Sequence, residues 1–346
     1  LRNMKKAFEV TKKEGAHVQG TISYTISPVH SILKFVQMAR EMEAMGADSI
    51  CIKDMAGLIS PYDAYQLVKC IKEIVSVPVQ LHCHSTSGMG MMAYLKAIEA
   101  GVDVIDTAIS SLALQTSQPP VEPFVVTLKG SKLDPEFDLK LLFDIAAYFK
   151  KIRSNHQDME SNIKGIDTRV LTYQIPGGML SNLFFQLREQ NIQDKFEEVL
   201  AEIPKVRKEL GYPPLVTPTS QIIGTQAVFN VMLGKRYEVI PAEVKNYLKG
   251  FYGRPPAPIE KKIMEKAGLS EKDVIRYRPA DRLDPLMQEK RKEINDLADN
   301  SEDILSYILF PPIAKAFLKK KMARKNRIGL ELLNGRHRYD EIGYPV

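Results

Sequence analysis

The chain has 346 residues, of which 44% are hydrophobic and 26% are charged, and its formal net charge is +6. These values are typical of a globular protein and exclude a chain that is disordered throughout. The densest basic run, residues 315–329, has no interleaved aromatic pattern and resembles the solvated face of a helix, which argues against nucleic-acid binding. Three scattered cysteines do not make a disulfide framework, so we expect a cytoplasmic protein.

The first third of the sequence alternates strand-like runs with helical patterns. The strand-like runs are residues 17–25, 47–54, 78–85 and 102–110. This alternation predicts βαβ units and a parallel sheet. Polar residues close each run, and no glycine-rich phosphate fingerprint follows any of them, which disfavours a dinucleotide-binding fold. We therefore predict an α/β fold, a (β/α)8 TIM barrel of which the C-terminal four βα units are present.

Four such units alone would leave two open sheet edges, which folded proteins avoid. The first residues, "LRNMKKAFEVTKKEG", lack an initiator Met and already have a helical pattern. We therefore expect the chain to be a fragment, with residues 1–120 as the C-terminal half of a barrel and residues 121–346 as a mainly helical region. In that second region we predict helices over 138–153, 181–210, 270–298 and 301–322, with turn-rich segments at 174–179 and 211–237.

Two histidines lie one residue apart in "LHCHSTSG". On a strand, His82 and His84 point to the same face. Three interpretations are open from the residues alone: two ligands of a metal such as Zn, Mn or Co, an acid/base pair, or two histidines that are hydrogen-bonded in a core. The hydroxyl-rich segment that follows favours a functional role and also suits an ordinary loop.

Lys53 and Thr116 are the other candidate site residues. Strand alternation places Ser49, Cys51 and Lys53 on one face, and a buried ammonium needs a partner. Lys53 either forms a salt bridge with Asp54 or another acid, or it loses its charge and acts as a ligand, for example as a carbamate. Thr116, in "LALQTSQPP", follows the last predicted strand and by itself suits a turn or cap.

Six motifs, in this order, resemble the carboxyltransferase component of biotin-dependent enzymes. They are "QGTISYT", "IKDMAG", "LHCHSTSG", "DTAISSLALQTSQPP", "QIPGGMLSNL" and "GYPPLVTPTSQIIGTQAVFNV". Members of this family include pyruvate carboxylase, oxaloacetate decarboxylase and transcarboxylase. The resemblance extends along the whole chain and implies strands five to eight of the barrel, followed by a helical funnel.

The resemblance also implies roles for the candidate residues. His82 and His84 match metal ligands, and Lys53 matches the carboxylated lysine that is the third ligand and part of the catalytic site. Thr116 matches the catalytic threonine that contacts biotin and moves a proton between pyruvate and biotin. The family's "RDxxQ" motif with its aspartate ligand, its pyruvate-binding arginine and the "AMKM" biotinylation motif have no match here, so we expect this chain alone to be inactive.

The implied reaction moves a carboxyl group between carboxybiotin and pyruvate or oxaloacetate, with a divalent metal ion (Zn, Mn or Co) and biotin on a separate domain or subunit. We expect a pyruvate-carboxylating enzyme, with an oxaloacetate decarboxylase of a sodium pump as the alternative. The implied partners are a biotin carrier domain, a biotin carboxylase subunit or membrane decarboxylase subunits, and further copies of the chain. A metal-dependent aldol- or Claisen-type barrel lyase or synthase, and a non-catalytic scaffold subunit, also stay open.

Overall fold

The computed structural model describes residues 1–157, 165–189 and 191–326. It contains two compact units: Leu1–Arg278, and a second unit that begins at Pro279. The strands are β1 (Gln19–Ser23), β2 (Ser49–Asp54), β3 (Val79–Cys83) and β4 (Val104–Ile105). The helices of the first unit are α1 (Arg2–Lys13), α2 (Ile32–Ala44), α3 (Pro61–Lys72), α4 (Gly90–Glu99), α5 (Val121–Leu128), α6 (Leu139–Ser154), α7 (Val170–Tyr173), α8 (Gly177–Glu189), α9 (Phe196–Glu209), α10 (Thr219–Met232), α11 (Ala242–Leu248) and α12 (Lys261–Lys266); those of the second are α13 (Met287–Glu293), α14 (Ser301–Leu309) and α15 (Pro311–Lys325).

The four strands form one parallel sheet in the order β1-β2-β3-β4, and helices connect them. Local signals in the sequence explain where these helices begin. The Ser60 hydroxyl accepts a hydrogen bond from the Asp63 amide at 3.1 Å, and Pro61 occupies the first position of α3, where its missing N–H costs nothing. The predicted α/β fold with four βα units is confirmed.

The two faces of the sheet differ in composition. One face is apolar and packs against α2, α3 and α4 in a single buried cluster, to which the strands contribute Ile22, Ile50, Ile52, Val79, Leu81 and Cys83. Alternation along the strands puts polar side chains on the opposite face, namely those of Gln19, Ser49, Lys53, Gln80 and His82. The apolar face therefore holds the sheet to its helices and leaves the other face for polar groups.

The last strand is shorter than the sequence predicts. The pattern predicts a strand over 102–110, and β4 contains Val104 and Ile105 alone. After β4, the Asp106 amide still donates to the Leu81 carbonyl at 3.1 Å, and Ala108 pairs with Pro120 in an isolated bridge. The chain then bends into a 3₁₀ turn at Ser110–Leu112, so the strand ends where the pairing with β3 ends.

The rest of the first unit is helical, as predicted, but two helices, α8 and α9, cover the segment 181–210 for which one helix was predicted, and α10 lies in a segment for which the sequence predicts turns. Within 211–237, α10 begins directly after Pro218 and buries Ile222, Ile223 and Ala227 completely or almost completely. The prolines of this segment all precede the helix, where proline is tolerated. The prediction of a turn-rich segment over 211–237 was wrong for the residues of α10, because it weighted the prolines above the apolar positions that follow them.

A buried arginine joins the helical part of this unit to the sheet. Arg207 of α9 donates to the Thr25 hydroxyl at 2.8 Å and to the Ile26 carbonyl at 3.2 Å, both just after β1. It also donates to the Pro213 carbonyl at 3.0 Å and to the Gln174 side chain. These bonds fix the helices next to the carboxyl end of β1.

The second unit has its own small core of Ile294, Ile304, Tyr307, Ala314 and Leu318. The helix predicted over 270–298 is confirmed only for the short α13; the rest of that segment contains two 3₁₀ turns, Glu271–Asp273 and Pro279–Arg282. Pro279 and Pro285 cannot continue a helix.

The predicted domain boundary at residue 120 lies inside the first unit and stays a prediction. Among the described residues, no helix has both the length and the apolar character needed to cross a membrane.

Candidate active site

The predicted site residues lie together at the carboxyl ends of the strands. Lys53, near the end of β2, is the register partner of His82 on β3. His84 follows β3 directly, and its ring centroid lies 5.1 Å from that of His82. Thr116 lies in the loop between β4 and α5 and contacts His84 through its main chain. In a parallel α/β sheet this edge is where binding sites form.

The ring of His82 is held by an aspartate that the sequence analysis did not identify. Its Nδ1 lies 2.8 Å from Asp106 Oδ2, and both oxygens of Asp106 accept from Gln80 Nε2, at 2.8 and 2.9 Å. His82 Nε2 lies 3.2 Å from Gln118 Nε2. A carboxylate can only accept, so Nδ1 carries the proton and Nε2 carries the lone pair, which accepts from the Gln118 amide.

His84 has the same orientation with a different acceptor. Its Nδ1 lies 2.6 Å from the main-chain carbonyl oxygen of Thr116, which accepts the Nδ1 proton and leaves the lone pair on Nε2. Burial lowers the pKa of His84 to about 4, and the nearby His82 adds to this effect. The ring is therefore neutral at physiological pH, which is the form that binds metals.

Lys53 does not form the salt bridge that is one of the two interpretations of its position. Both carboxylate oxygens of Asp54 accept main-chain N–H groups, from Ala56 at 3.1 Å, Gly57 at 2.9 Å and Ile59 at 2.7 Å. Among the described residues, no carboxylate lies within 4.0 Å of the Lys53 amine. Lys53 is thus the strand neighbour of His82 without an ion pair to a described carboxylate, and its charge contributes to lowering the pKa of His84.

The turn after β2 packs closely against the main chain of His84. Gly57 has a φ of +71°, and a Cβ at this position would lie 2.5 Å from the main-chain oxygen of His84. Glycine is required there both for the left-handed conformation and for the close approach of the two main chains. Asp54, through the N–H groups that it accepts, holds this turn in place.

The hydroxyl of Thr116 is not used by the fold. The turn before it contains two residues with left-handed conformations, Leu114 with a φ of 69° and Gln115 with a φ of 56°. The main-chain oxygens of Thr116 and Ser117 accept hydrogen bonds from the His84 ring and from the Ser85 amide. The Thr116 hydroxyl has no hydrogen-bond partner among the described residues, so the main chain of Thr116, and not its hydroxyl, makes the structural hydrogen bonds.

Sequence reasoning missed Asp106, Gln80 and Gln118 as neighbours of His82. Asp106 is the last residue of "VDVID", and the polar residues at the strand ends were noted without partners being assigned to them. Parallel order places β4 beside β3, so an aspartate after β4 is the natural neighbour of a histidine on β3. This signal becomes usable once the strand order is known.

The donor set suits a transition metal in type but is incomplete as it stands. Neutral imidazole nitrogens are ligands of Zn, Mn and Co, and an acceptor behind each Nδ1 is the usual support of a metal-bound histidine. Within residues 1–157, 165–189 and 191–326, no group of three or more His, Cys, Asp or Glu side chains is arranged to hold a metal ion. Within the described residues, the two histidine rings therefore have no third His, Cys, Asp or Glu side chain placed to share a metal ion with them.

Comparison with known proteins places both parts of the chain. A family described as HMGL-like matches residues 1–148, and a family described as a conserved carboxylase domain matches residues 170–338. A pyruvate carboxylase subunit from Methanocaldococcus jannaschii is 55% identical over 93% of this chain and 57% of its own length. The 5S subunit of methylmalonyl-CoA carboxyltransferase from Propionibacterium freudenreichii is 45% identical over 95% of this chain and 66% of its own length.

A solved structure agrees with these relatives. The carboxyl transferase domain of Rhizobium etli pyruvate carboxylase, with pyruvate and biocytin, is 29% identical and superposes with a TM-score of 0.87, covering 91% of this chain and 56% of that one. The chain thus spans little more than half the length of these pyruvate carboxylase relatives. Two family matches that together cover most of its residues, and relatives of this identity, show that the chain belongs to the family of biotin-dependent carboxyltransferases.

Proposed function

We propose that this chain supplies part of the site that moves a carboxyl group between carboxybiotin and pyruvate or oxaloacetate. The observation that supports this best is the geometry at the end of β3. Two histidines present unprotonated Nε2 atoms beside an unpaired lysine, and a threonine hydroxyl without a partner lies in the adjoining loop. The activities for which the relatives are named, pyruvate carboxylation and carboxyl transfer, give the substrate class.

We assign His82, His84 and Lys53 as the protein ligands of a divalent metal ion. Asp106 and the Thr116 carbonyl hold the two rings so that both Nε2 lone pairs stay available. A carbamate at Lys53 converts an amine that repels cations into an oxygen ligand, which completes a set of three. When bound, a Zn, Mn or Co ion supplies Lewis acidity for the ketone oxygen of the substrate.

We assign Thr116 to proton transfer and to contact with biotin. A hydroxyl is both a donor and an acceptor, so Thr116 Oγ1 can accept a proton from the substrate methyl group while it donates its own to the biotin nitrogen. This exchange leaves the threonine unchanged. Its efficiency depends on where Oγ1 lies rather than on its acidity, because a threonine by itself is a weak base.

The carboxylation reaction is favoured over its rivals. An aldol- or Claisen-type lyase or synthase needs the half barrel but has no use for the carboxylase region that follows it, and a scaffold subunit has no use for oriented histidines.

We further propose a biotin carrier and a biotin carboxylase subunit as partners, several copies of the chain in the assembly, and a cytoplasmic location. The three cysteines, all free thiols, are consistent with that location. The decarboxylating enzyme with membrane subunits is the second candidate for the assembly.

The test is the metal content and activity of the protein that contains this chain. We expect about one divalent ion per chain, and we expect His82→Ala to lose both the ion and biotin-dependent carboxyl transfer. His156→Ala, a control at an exposed position after α6, should keep both. If the His82→Ala protein retains a full equivalent of metal by elemental analysis, the ligand assignment is wrong.

A further inference from the structure

The first residue of α8 lies directly against the side chain of Thr116. A Cβ built on Gly177 would overlap the Cγ2 methyl of Thr116, and it would lie 3.4 Å from Thr116 Cβ and 3.3 Å from the Thr86 hydroxyl oxygen. Gly177 is buried. A Cβ on the next residue, Gly178, would have no neighbour within 4 Å. The two adjacent glycines thus differ in two respects: Gly177 is buried and faces Thr116, whereas Gly178 is exposed and has open space at its Cβ position.

The contact involves the methyl group of Thr116, and this determines where its hydroxyl points. A β-branched side chain has few allowed χ1 angles, so a fixed position for Cγ2 also fixes Oγ1. The preceding residue is held as well, because the Thr86 hydroxyl donates to the Gln115 carbonyl at 3.2 Å. Gly177 therefore closes the side of the site on which the methyl group lies, and the hydroxyl is left on the other side.

We propose that Gly177 is a positioning residue for Thr116: its missing side chain is the space in which the Thr116 methyl sits, and this directs the hydroxyl toward the reactants. The inference rests on the proposed role of Thr116 in proton transfer. It gives the "PGGM" segment of the helical region a function in the chemistry of the barrel, through one van der Waals contact.

The helix itself does not need glycine at this position. Gly177 is not among the glycines with positive φ, so its main-chain conformation is open to alanine. Alanine is the better helix former, and the Leu180 amide donates to the Pro176 carbonyl at 3.0 Å whatever residue occupies position 177. Any harm from Gly177→Ala must therefore come from the contact with Thr116 and Thr86, not from the main chain.

A double-mutant cycle separates this contact from a general effect on folding. Four variants are compared with the wild type in the protein that contains this chain: Gly177→Ala, Thr116→Ser, the combination of both, and Gly178→Ala as the matched control. Carboxyl transfer from carboxybiotin and the melting temperature are measured for each. Serine lacks Cγ2, so it removes the overlapping atom and keeps the hydroxyl.

We expect Gly177→Ala to lower the rate of carboxyl transfer by about 10–100-fold, because small displacements of a reacting group have effects of this size. Its melting temperature should also fall. Gly178→Ala should match the wild type in both. The combined variant should recover the rate and the melting temperature of Thr116→Ser alone.

The proposal is overturned if Gly177→Ala transfers carboxyl groups like the wild type, or if the combined variant is slower than Thr116→Ser alone by the same factor as Gly177→Ala is slower than the wild type. The melting temperatures report the contact whatever Thr116 does in catalysis. A fifth variant, Thr116→Ala, tests the hydroxyl separately: its wild-type activity, together with a melting-temperature rescue in the combined variant, would refute the proton-transfer role and leave the steric contact established. Failure of this inference and failure of the proposed function are therefore distinguishable.

Discussion

The two faces of the sheet use the same strands for different purposes. Leu81, on the helix-covered face, is fully buried in the main apolar cluster. His82, the next residue, lies on the opposite face among Asp106, Gln118 and Lys53. Because side chains alternate along a strand, every second residue contributes to stability and the intervening ones are available for chemistry. Substitutions on one face should therefore change a property that substitutions on the other leave intact.

The largest effect should follow the loss of the Thr116 hydroxyl. Thr116→Ala should slow biotin-dependent carboxyl transfer by about 10²–10⁴-fold, which is the usual contribution of a positioned proton carrier. Metal content and melting temperature should stay close to the wild type, because the fold uses the main chain of this residue. Thr116→Ser should keep part of the rate. A near-normal rate for Thr116→Ala would return this residue to the role of a turn residue.

On the apolar face, Leu81→Ala should reduce the free energy of unfolding by about 2–5 kcal/mol, since it removes a fully buried side chain and leaves a cavity. Gln19→Ala, on the polar face of β1, should change it by about 0.5 kcal/mol or less, because Gln19 is exposed. Urea denaturation of the two variants measures both values. Equal losses of unfolding free energy in the two variants would contradict the conclusion that the apolar face, and not the polar face, stabilises the sheet.

Asp106→Asn should weaken the metal site with little loss of stability. Partners that orient a metal-bound histidine typically contribute about 10–100-fold to metal affinity. We expect a loss within that range when the metal is titrated against a chelator, and a melting temperature near that of the wild type. An Asp103→Asn variant, which changes an aspartate at the far end of β4 that pairs with Lys72, should keep the metal affinity. Unchanged affinity in Asp106→Asn would exclude an orienting role.

The sheet could be predicted from the sequence because its pattern is local. Apolar runs of strand length, helix caps such as Ser60 and polar strand ends such as Lys53 are each visible within a few residues. Asp106 and Gly177 were missed because their importance comes from neighbours that are distant in the chain. The predictions for 211–237 and 270–298 failed for a related reason. The packing of Ile222 and Ile223 makes part of the first segment a helix, and Pro279 and Pro285 prevent a long helix in the second; neither depends on average composition.

The two histidines differ in how easily a mutation can remove the hydrogen-bond acceptor of their Nδ1 atoms. His82 is held by the side chain of Asp106, which a single base change can replace. His84 is held by the main-chain oxygen of Thr116, which every amino acid provides. Mutations can move that oxygen only by reshaping the turn, where Leu114 and Gln115 already adopt left-handed conformations. Among related sequences we expect position 106 to tolerate fewer replacements than the turn residues, and His84 to remain anchored when the residues around it drift.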